Sequence, residues 1–311
     1  MLISKHKRIH PLVSIITVNY NHSEVTCDLI ESINKLSYPN IEIIVVDNDS
    51  PDDSPFDIKA KFPNVIMTPS PINYGFAAGN NYGIMKARGK YVLLLNNDTV
   101  VTKNFLEPLV DKMESDPTIG AVSPKIRYFH TPDTIQYAGA TPYNLRTMRN
   151  RAIGFGEVDK GQYEEDRETA YAHGAAMMVS IDVIKKVGMM SYAYFLYYEE
   201  ADWCYRIKKA GYKIFYVNNS LIFHKESIAT GKQSPLKIFY QTRNRIVFLR
   251  RNVQGKELYI SIIYMILIAI PKNTISFILK RRFDLLKAFY KGFFWNIKNR
   301  SSKEIFENPV L

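Results

Sequence analysis

The sequence predicts an α/β fold, a mostly parallel sheet with helices on both faces, followed by a helical C-terminal extension. Three observations carry that expectation. Short, near-continuous Val/Ile/Leu runs alternate with helical patterns over the first 125 residues, as parallel strands buried on both faces require. Three of those runs end on polar groups, at Asn19, at Asp47-Asn48-Asp49 and at Asn96-Asn97-Asp98. Basic charge then collects at one end: residues 225–311 hold 17 Lys and Arg against 5 Asp and Glu, while the first 224 hold 24 against 25. That asymmetry places a boundary near residue 225.

Taken in order, Val13–Val18 reads as the first strand. The basic start and the apolar run from Leu12 to Val18 have the outline of a signal peptide. The run is short and β-branched, with no small-residue cleavage site, so a buried strand is the better reading. A helix follows from Ser23, with Val25, Leu29, Ile30 and Ile33 on one face. "IEIIVVDNDS" and "NVIMTPS" give the next two strands, Ala77–Ala87 a helix stopped by Gly89, and Tyr91–Leu95 the fourth strand. "NFLEPLVDKME" reads as a helix and Ile119–Pro124 as a strand. Residues 127–170 are polar and carry Arg127, Arg146, Arg149, Arg151 and Arg167, which suggests a loop region lying over the sheet. "AHGAAMMVS" returns to strand. "EEADWCYRIKKAG" is a helix with acids in its first turn, lysines in its last and Gly211 after it. In such a sheet a ligand binds beyond the carboxyl ends of the strands, where the three polar clusters fall.

The segments "VSIITVNYN", "VVDNDS", "NYGFAAGNNYGI", "LLLNNDTVV", "HGAAMMV" and "FLYYEEADWCYRIKKAGY" stand in that order. On them, over roughly residues 12 to 230, the chain resembles the inverting family 2 glycosyltransferases of the GT-A (Rossmann-like) fold. With "RAIGFGEVDKGQY" added, it is most similar to the rhamnosyltransferase-type enzymes of bacterial surface-polysaccharide synthesis. The resemblance implies a catalytic domain over residues 1–224, with a donor half at about 12–125 and an acceptor half at about 126–224. Residues 225–311 form the extension.

The departing nucleoside diphosphate needs a counter-ion, and a hard divalent cation (Mg²⁺ or Mn²⁺) supplies one with few protein ligands. The family carries an acidic motif after its fourth core strand. Here "NND" stands there, so Asp98 is the expected metal ligand, with Asn96 and Asn97 free to bond ribose or water. An Asp98 that only caps the next turn is the alternative. His224, after the last strand of the domain, matches a further metal ligand of the family; alone, it would read as structural. Val18, Asn19, Asp47, Asn48 and Asp49 fall where the family holds nucleobase and ribose, although Asp and Asn also favour turns. Asn73, Gly75 and Asn80 belong to a glycine-rich loop expected at the donor. An inverting transfer needs a base for the acceptor hydroxyl. The family's base is the second carboxylate of the pair opening the "EEADW" helix, which is Glu200. Its position at a helix N-terminus predicts an ionised carboxylate. Gly174, Glu199, Asp202 and Trp203 are expected on the acceptor side; stabilising the helix end is the alternative for the acids, and a core position for Trp203.

In the extension, Leu258–Ile270 is an apolar run of 13 residues, too short to cross a membrane, and Pro271 and Lys272 follow it. Basic residues interleaved with aromatics then fit a helix in an anionic membrane interface. A helical hairpin buried on the catalytic domain is the other reading. A nucleic-acid partner finds no supporting motif. Cys27 and Cys204 read as reduced helix residues, which suits a cytoplasmic enzyme peripheral on the inner face of the plasma membrane. The expected partners are a UDP- or dTDP-sugar donor and a glycan or lipid-linked acceptor. A sugar-nucleotide nucleotidyltransferase is the first alternative, but "NYNHSEVT" lacks its glycine-rich basic loop. A non-catalytic glycan-binding scaffold is the second.

Overall fold

The computed structural model describes residues 10–51, 55–225, 234–299, 307 and 309–311; the basic start lies mostly outside them. The first part of the chain runs β1 (Val13–Asn19), α1 (Ser23–Ile33), β2 (Ile41–Asp47), α2 (Pro55–Lys61), β3 (Ile66–Pro69), α3 (Gly75–Ile84), β4 (Tyr91–Leu95), β5 (Thr99–Val101) and α4 (Leu106–Ser115). The next part adds β6 (Ile119–Tyr128), β7 (Ile135–Tyr137), β8 (Arg167–Glu168), β9 (Ala176–Ser180), α5 (Ile181–Val187), α6 (Glu199–Lys209) and β10 (Lys213–His224).

These strands make one mixed sheet in the order β3-β2-β1-β4-β9-β6-β10-β5, with β7 beside β6 and β8 beside β10. β1 to β4 are parallel, which sends their polar ends to one edge. β9 runs antiparallel between β4 and β6. Apolar side chains fill both faces, Leu29, Phe105 and Tyr137 on one and Ile84, Met177 and Trp203 on the other. The polar stretch 127–170 is more ordered than its composition suggests. β7 and β8 pair with the main sheet, and the Lys125 ammonium reaches the buried Asp159 carboxylate at 3.1 Å.

The C-terminal part holds α7 (Pro235–Asn252), α8 (Gly255–Tyr264), α9 (Ile270–Leu279) and α10 (Phe283–Lys298). One expectation is corrected here, and one alternative is not met. The apolar run does not stop at Pro271: α8 and α9 form one continuous helix, Gly255–Leu279, joined by a π turn at Met265–Ala269. A wider turn just ahead of a proline accommodates a ring that carries no N–H. Nor is this helix a buried hairpin, since Ile263, Leu267 and Leu279 are exposed. By contrast, α7 packs on the catalytic part through Val247, Phe248 and Leu249. The first helix beyond the change in charge near residue 225 thus packs on the part before it.

Candidate active site

The carboxyl ends of β1, β2 and β4 open into a cleft of about 670 Å³. Val18, Asn48, Asn73, Gly75, Asn96, Asn97 and Asp98 line it from the segments before β6. Gly174, Glu199, Glu200 and His224 line it from the segments after β6. The strand ends and the first turn of α6 thus meet at one place.

Six expected site residues do not line the cleft, each for a visible reason. Asn19 and Asp47 are register partners on β1 and β2, and the Asn19 amide donates to the Asp47 carboxylate at 2.9 Å. Asn19 also accepts from Thr26 at 2.6 Å, and Thr26 accepts from Asn97 at 3.1 Å. The pair is a buried floor that holds Asn97 in place. Asp49 points to solvent from a left-handed turn position. Asn80 is buried, and its amide donates to the Phe76 carbonyl within α3. Asp202 is buried between Arg206 and Arg251, at 2.9 Å from each. Trp203 is also fully buried, with Nε1 donating to the Gly188 carbonyl at 2.8 Å, so it cannot stack on a sugar.

The Asn73–Gly75 turn is built around Asn48. Its amide nitrogen donates to Asn73 Oδ1 at 2.9 Å and the Gly75 carbonyl at 3.2 Å, and its oxygen accepts from the Tyr74 N–H at 3.1 Å. Gly75 sits at φ +80°, and the Phe76 N–H reaches the Phe195 carbonyl at 2.7 Å. A Cβ at Gly75 would overlap that carbonyl oxygen. Glycine is required there because the Phe195 carbonyl lies directly over the turn.

Asp98 and His224 meet across β5 and β10, where Thr99 pairs with His224. His224 Nε2 stands 3.0 Å from Asp98 Oδ1, and Nδ1 stands 2.8 Å from the Gln136 side-chain oxygen. An amide oxygen only accepts, so Nδ1 carries the hydrogen, and in the neutral ring Nε2 turns a lone pair toward the carboxylate. Two acceptors facing each other need a cation or a proton between them. A carboxylate and a neutral imidazole oriented by a second hydrogen bond fit a divalent metal. Among the described residues no cluster of three His, Cys, Asp or Glu forms a fuller cage.

Glu199 and Glu200 open α6 after two tyrosines, Tyr197 and Tyr198, at φ 70° and 76°. Asn244 of α7 fixes this turn by donating to the Leu196 and Tyr197 carbonyls at 2.7 and 2.8 Å. Each glutamate keeps one buried carboxyl oxygen without a partner. Burial pushes the Glu200 carboxyl above the ordinary range, against the lowering effect of the backbone N–H groups of Glu200 and Ala201. Burial together with the Glu200 charge pushes Glu199 up well above it. At Glu200 desolvation thus opposes the helix dipole, which favours the ionised form.

A family model described as glycosyl transferase family 2 matches residues 14–188. The chain belongs to glycosyltransferase family 2. A family relative, the low-salt glycan biosynthesis hexosyltransferase Agl10 of Haloferax volcanii, is 27% identical over 76% of this chain and 74% of its own. An N-acetylglucosaminyl-diphospho-decaprenol L-rhamnosyltransferase of Mycobacterium tuberculosis is 21% identical over 78% of this chain and 86% of its own. Among solved structures, GalNAc-T7 with UDP, GalNAc and Mn²⁺ superposes with a TM-score of 0.64 at 18% identity. The match covers 78% of this chain and 48% of that one. The mannosyltransferase PcManGT of Pyrobaculum calidifontis, in complex with GDP-Man and Mn²⁺, gives 0.57 at 16% identity over 94% and 76%. These neighbours share the GT-A fold.

Several residues of this family 2 cleft escape a reading of the sequence. Gln136 comes from the polar stretch after β6, with no motif to announce it. His173 lines the cleft beside His224, with ring centres 6.2 Å apart. Its Nδ1 accepts the Ala175 N–H at 3.1 Å, which leaves the hydrogen on Nε2. Burial, then the neighbouring His224, pushes its pKa down to about 3, so the ring is a neutral donor. Lys237 and Tyr240 reach the cleft from α7, and Tyr240 stacks on Phe195 at 5.2 Å. Lys237 is the one Lys or Arg lining the cleft among the described residues.

Proposed function

We propose that this family 2 enzyme transfers a sugar, with inversion and with a divalent cation, from a UDP- or dTDP-sugar to a glycan or lipid-linked acceptor. The observation that carries the reading is that Glu200 shares one cleft with the facing acceptors of Asp98 and His224. Asp98 Oδ1 and His224 Nε2 would hold Mg²⁺ or Mn²⁺, with donor phosphate oxygens and water completing the shell. The ion supplies charge neutralisation for the departing diphosphate. Glu200 takes the acceptor hydroxyl proton as that oxygen bonds to the anomeric carbon, while the bond from that carbon to the diphosphate oxygen breaks. Asn48 and Asn73 hold the turn against the nucleoside. Rhamnose is the favoured sugar, in keeping with the mycobacterial relative, which is named as an L-rhamnosyltransferase acting on a polyprenyl diphosphate. That relative's lipid-linked substrate, with the basic tail, supports a place on the cytoplasmic face of an anionic plasma membrane.

The test is a panel of nucleotide sugars incubated with lipid-linked and free saccharide acceptors, with Mg²⁺, Mn²⁺ or chelator. Product formation with a pyrimidine nucleotide donor, lost in chelator, supports the reading. Binding of nucleotide sugars with no turnover under any metal overturns it.

A further inference from the structure

We infer that the helix Gly255–Leu279 lies in the plane of one leaflet of an anionic bilayer, embedded rather than crossing, and holds the cleft at the membrane surface. This deepens the membrane-face reading above and rests on it.

The helix carries a face that water does not suit. Between Glu257 and Lys280 its only charged residue is Lys272. Tyr259, Ile263 and Leu267, spaced by four, are 69%, 57% and 69% exposed, and Ile275 and Leu279 continue at 57% and 78%. A continuous apolar stripe of that kind marks an interaction surface.

Charge selects the occupant. Lys256 stands at one end of the stripe and Lys280, Arg281 and Arg282 at the other. A second copy of this chain would bring like charges together around the patch, whereas anionic headgroups would neutralise them.

Packing decides the orientation. The helix is about 37 Å long at 1.5 Å per residue, which is enough to span a bilayer. Its other side, however, faces a groove shared with α7 and α10, lined by Met265, Ile270 and Phe277 of this helix and by Ile238, Thr242 and Phe289 of its neighbours, with the Phe277 and Phe289 rings 6.0 Å apart. α7 is fixed to the catalytic part by Phe248 and by Arg251 on Asp202. A crossing helix would pull both neighbours, with Arg245 and Lys291, into hydrocarbon. A flat one leaves them outside. Leu236, Lys237 and Tyr240 of α7 line the cleft, so one helix thickness, about 10 Å, separates cleft and embedded helix. A lipid-anchored acceptor then reaches Glu200 without leaving the surface.

The experiment places Lys256→Cys or Lys280→Cys in the full chain bound to sealed phosphatidylglycerol vesicles, probed with an impermeant maleimide. The parent chain, whose Cys27 and Cys204 are buried, is the background. We expect flotation with these vesicles in preference to phosphatidylcholine, and labelling of both cysteines from outside. Leu267→Glu is expected to weaken flotation about tenfold or more while thermal unfolding in solution stays unchanged. Labelling of only one end would overturn the in-plane placement. A parent chain that stays off vesicles, or forms a dimer that Leu267→Glu dissolves, would overturn the bilayer as the partner. None of these readouts needs sugar transfer, so failure of the proposed reaction would be seen separately.

Discussion

Arg251 donates to the Asp202 carboxylate at 2.9 Å and ties the helix that carries Lys237 and Tyr240 to the helix that carries Glu200. Asn252 adds a bond to the same carboxylate at 2.7 Å, and the Tyr194 hydroxyl another at 3.2 Å. Asp202 is fully buried, so removing it takes the carboxylate counter-charge from Arg206 and Arg251. Asp202→Ala is expected to cost about 3–5 kcal/mol, the usual price of breaking a buried pair from one side. Chemical denaturation measures the loss. Burial pushes the Asp202 pKa up, but Arg206 and Arg251 outweigh it and hold the group below its ordinary 3.8. Its contribution is therefore complete above pH 3.8 and fades as pH falls below that value.

In the proposed site, Asp98 and His224 would divide the metal's protein contacts unequally. Asp98→Ala removes the only carboxylate of the pair, and turnover is expected to fall by at least about 10²-fold. His224→Ala leaves the carboxylate, so the expected effect is a rise in the metal concentration needed for half activity. Metal titrations at saturating donor separate the two. Equal activity of His224→Ala and the parent across the titration would remove His224 from the site.

Gly75 tests the closure between the two halves. Gly75→Ala meets both a left-handed backbone and the Phe195 carbonyl. The cost expected is about 1–3 kcal/mol, with a higher donor KM, because the Asn73–Gly75 turn must shift away from Asn48. Gly161→Ala also sits at positive φ but meets only the flexible Glu164 side chain, and it is expected to leave the KM alone.

What was legible in the sequence was the donor edge of the fold. Runs such as Tyr91–Leu95 are buried on both faces, so their composition alone announces them, and the polar residues that end them can only meet at one edge. His224 and Glu200 needed the resemblance to be placed, because a strand-end histidine and a helix-end glutamate have ordinary structural uses. Asp202 shows the limit. It shares its sequence neighbourhood with Glu200, but helix geometry turns it inward toward Arg206, four residues on, and toward Arg251, which lies far away in sequence. Gln136 and His173 were illegible because their roles come from hydrogen bonds to His224 and Ala175, and no local pattern encodes those. The tail was misread at Pro271, where the proline signal of helix ending was overridden by a π turn.

The two glutamates differ in a way that a simple pair of substitutions can read. Burial pushes both carboxyls up, and the Glu200 charge adds to the rise at Glu199, so the two titrate as a pair. Glu199→Gln keeps the size of the neighbour without its charge and is expected to keep most of the turnover. Glu200→Gln cannot accept the acceptor's proton, and kcat is expected to fall by about 10²–10⁴-fold with donor affinity nearly unchanged. The pH profile carries the sign: Glu200 must be ionised to act, and burial raises its pKa above 4.5. The acid limb of kcat/KM should therefore have its midpoint above 4.5, with activity rising as pH rises through it. A limb that vanishes in Glu200→Gln but survives in Glu199→Gln assigns the proton transfer to Glu200. The opposite pattern moves the base one residue toward the N-terminus.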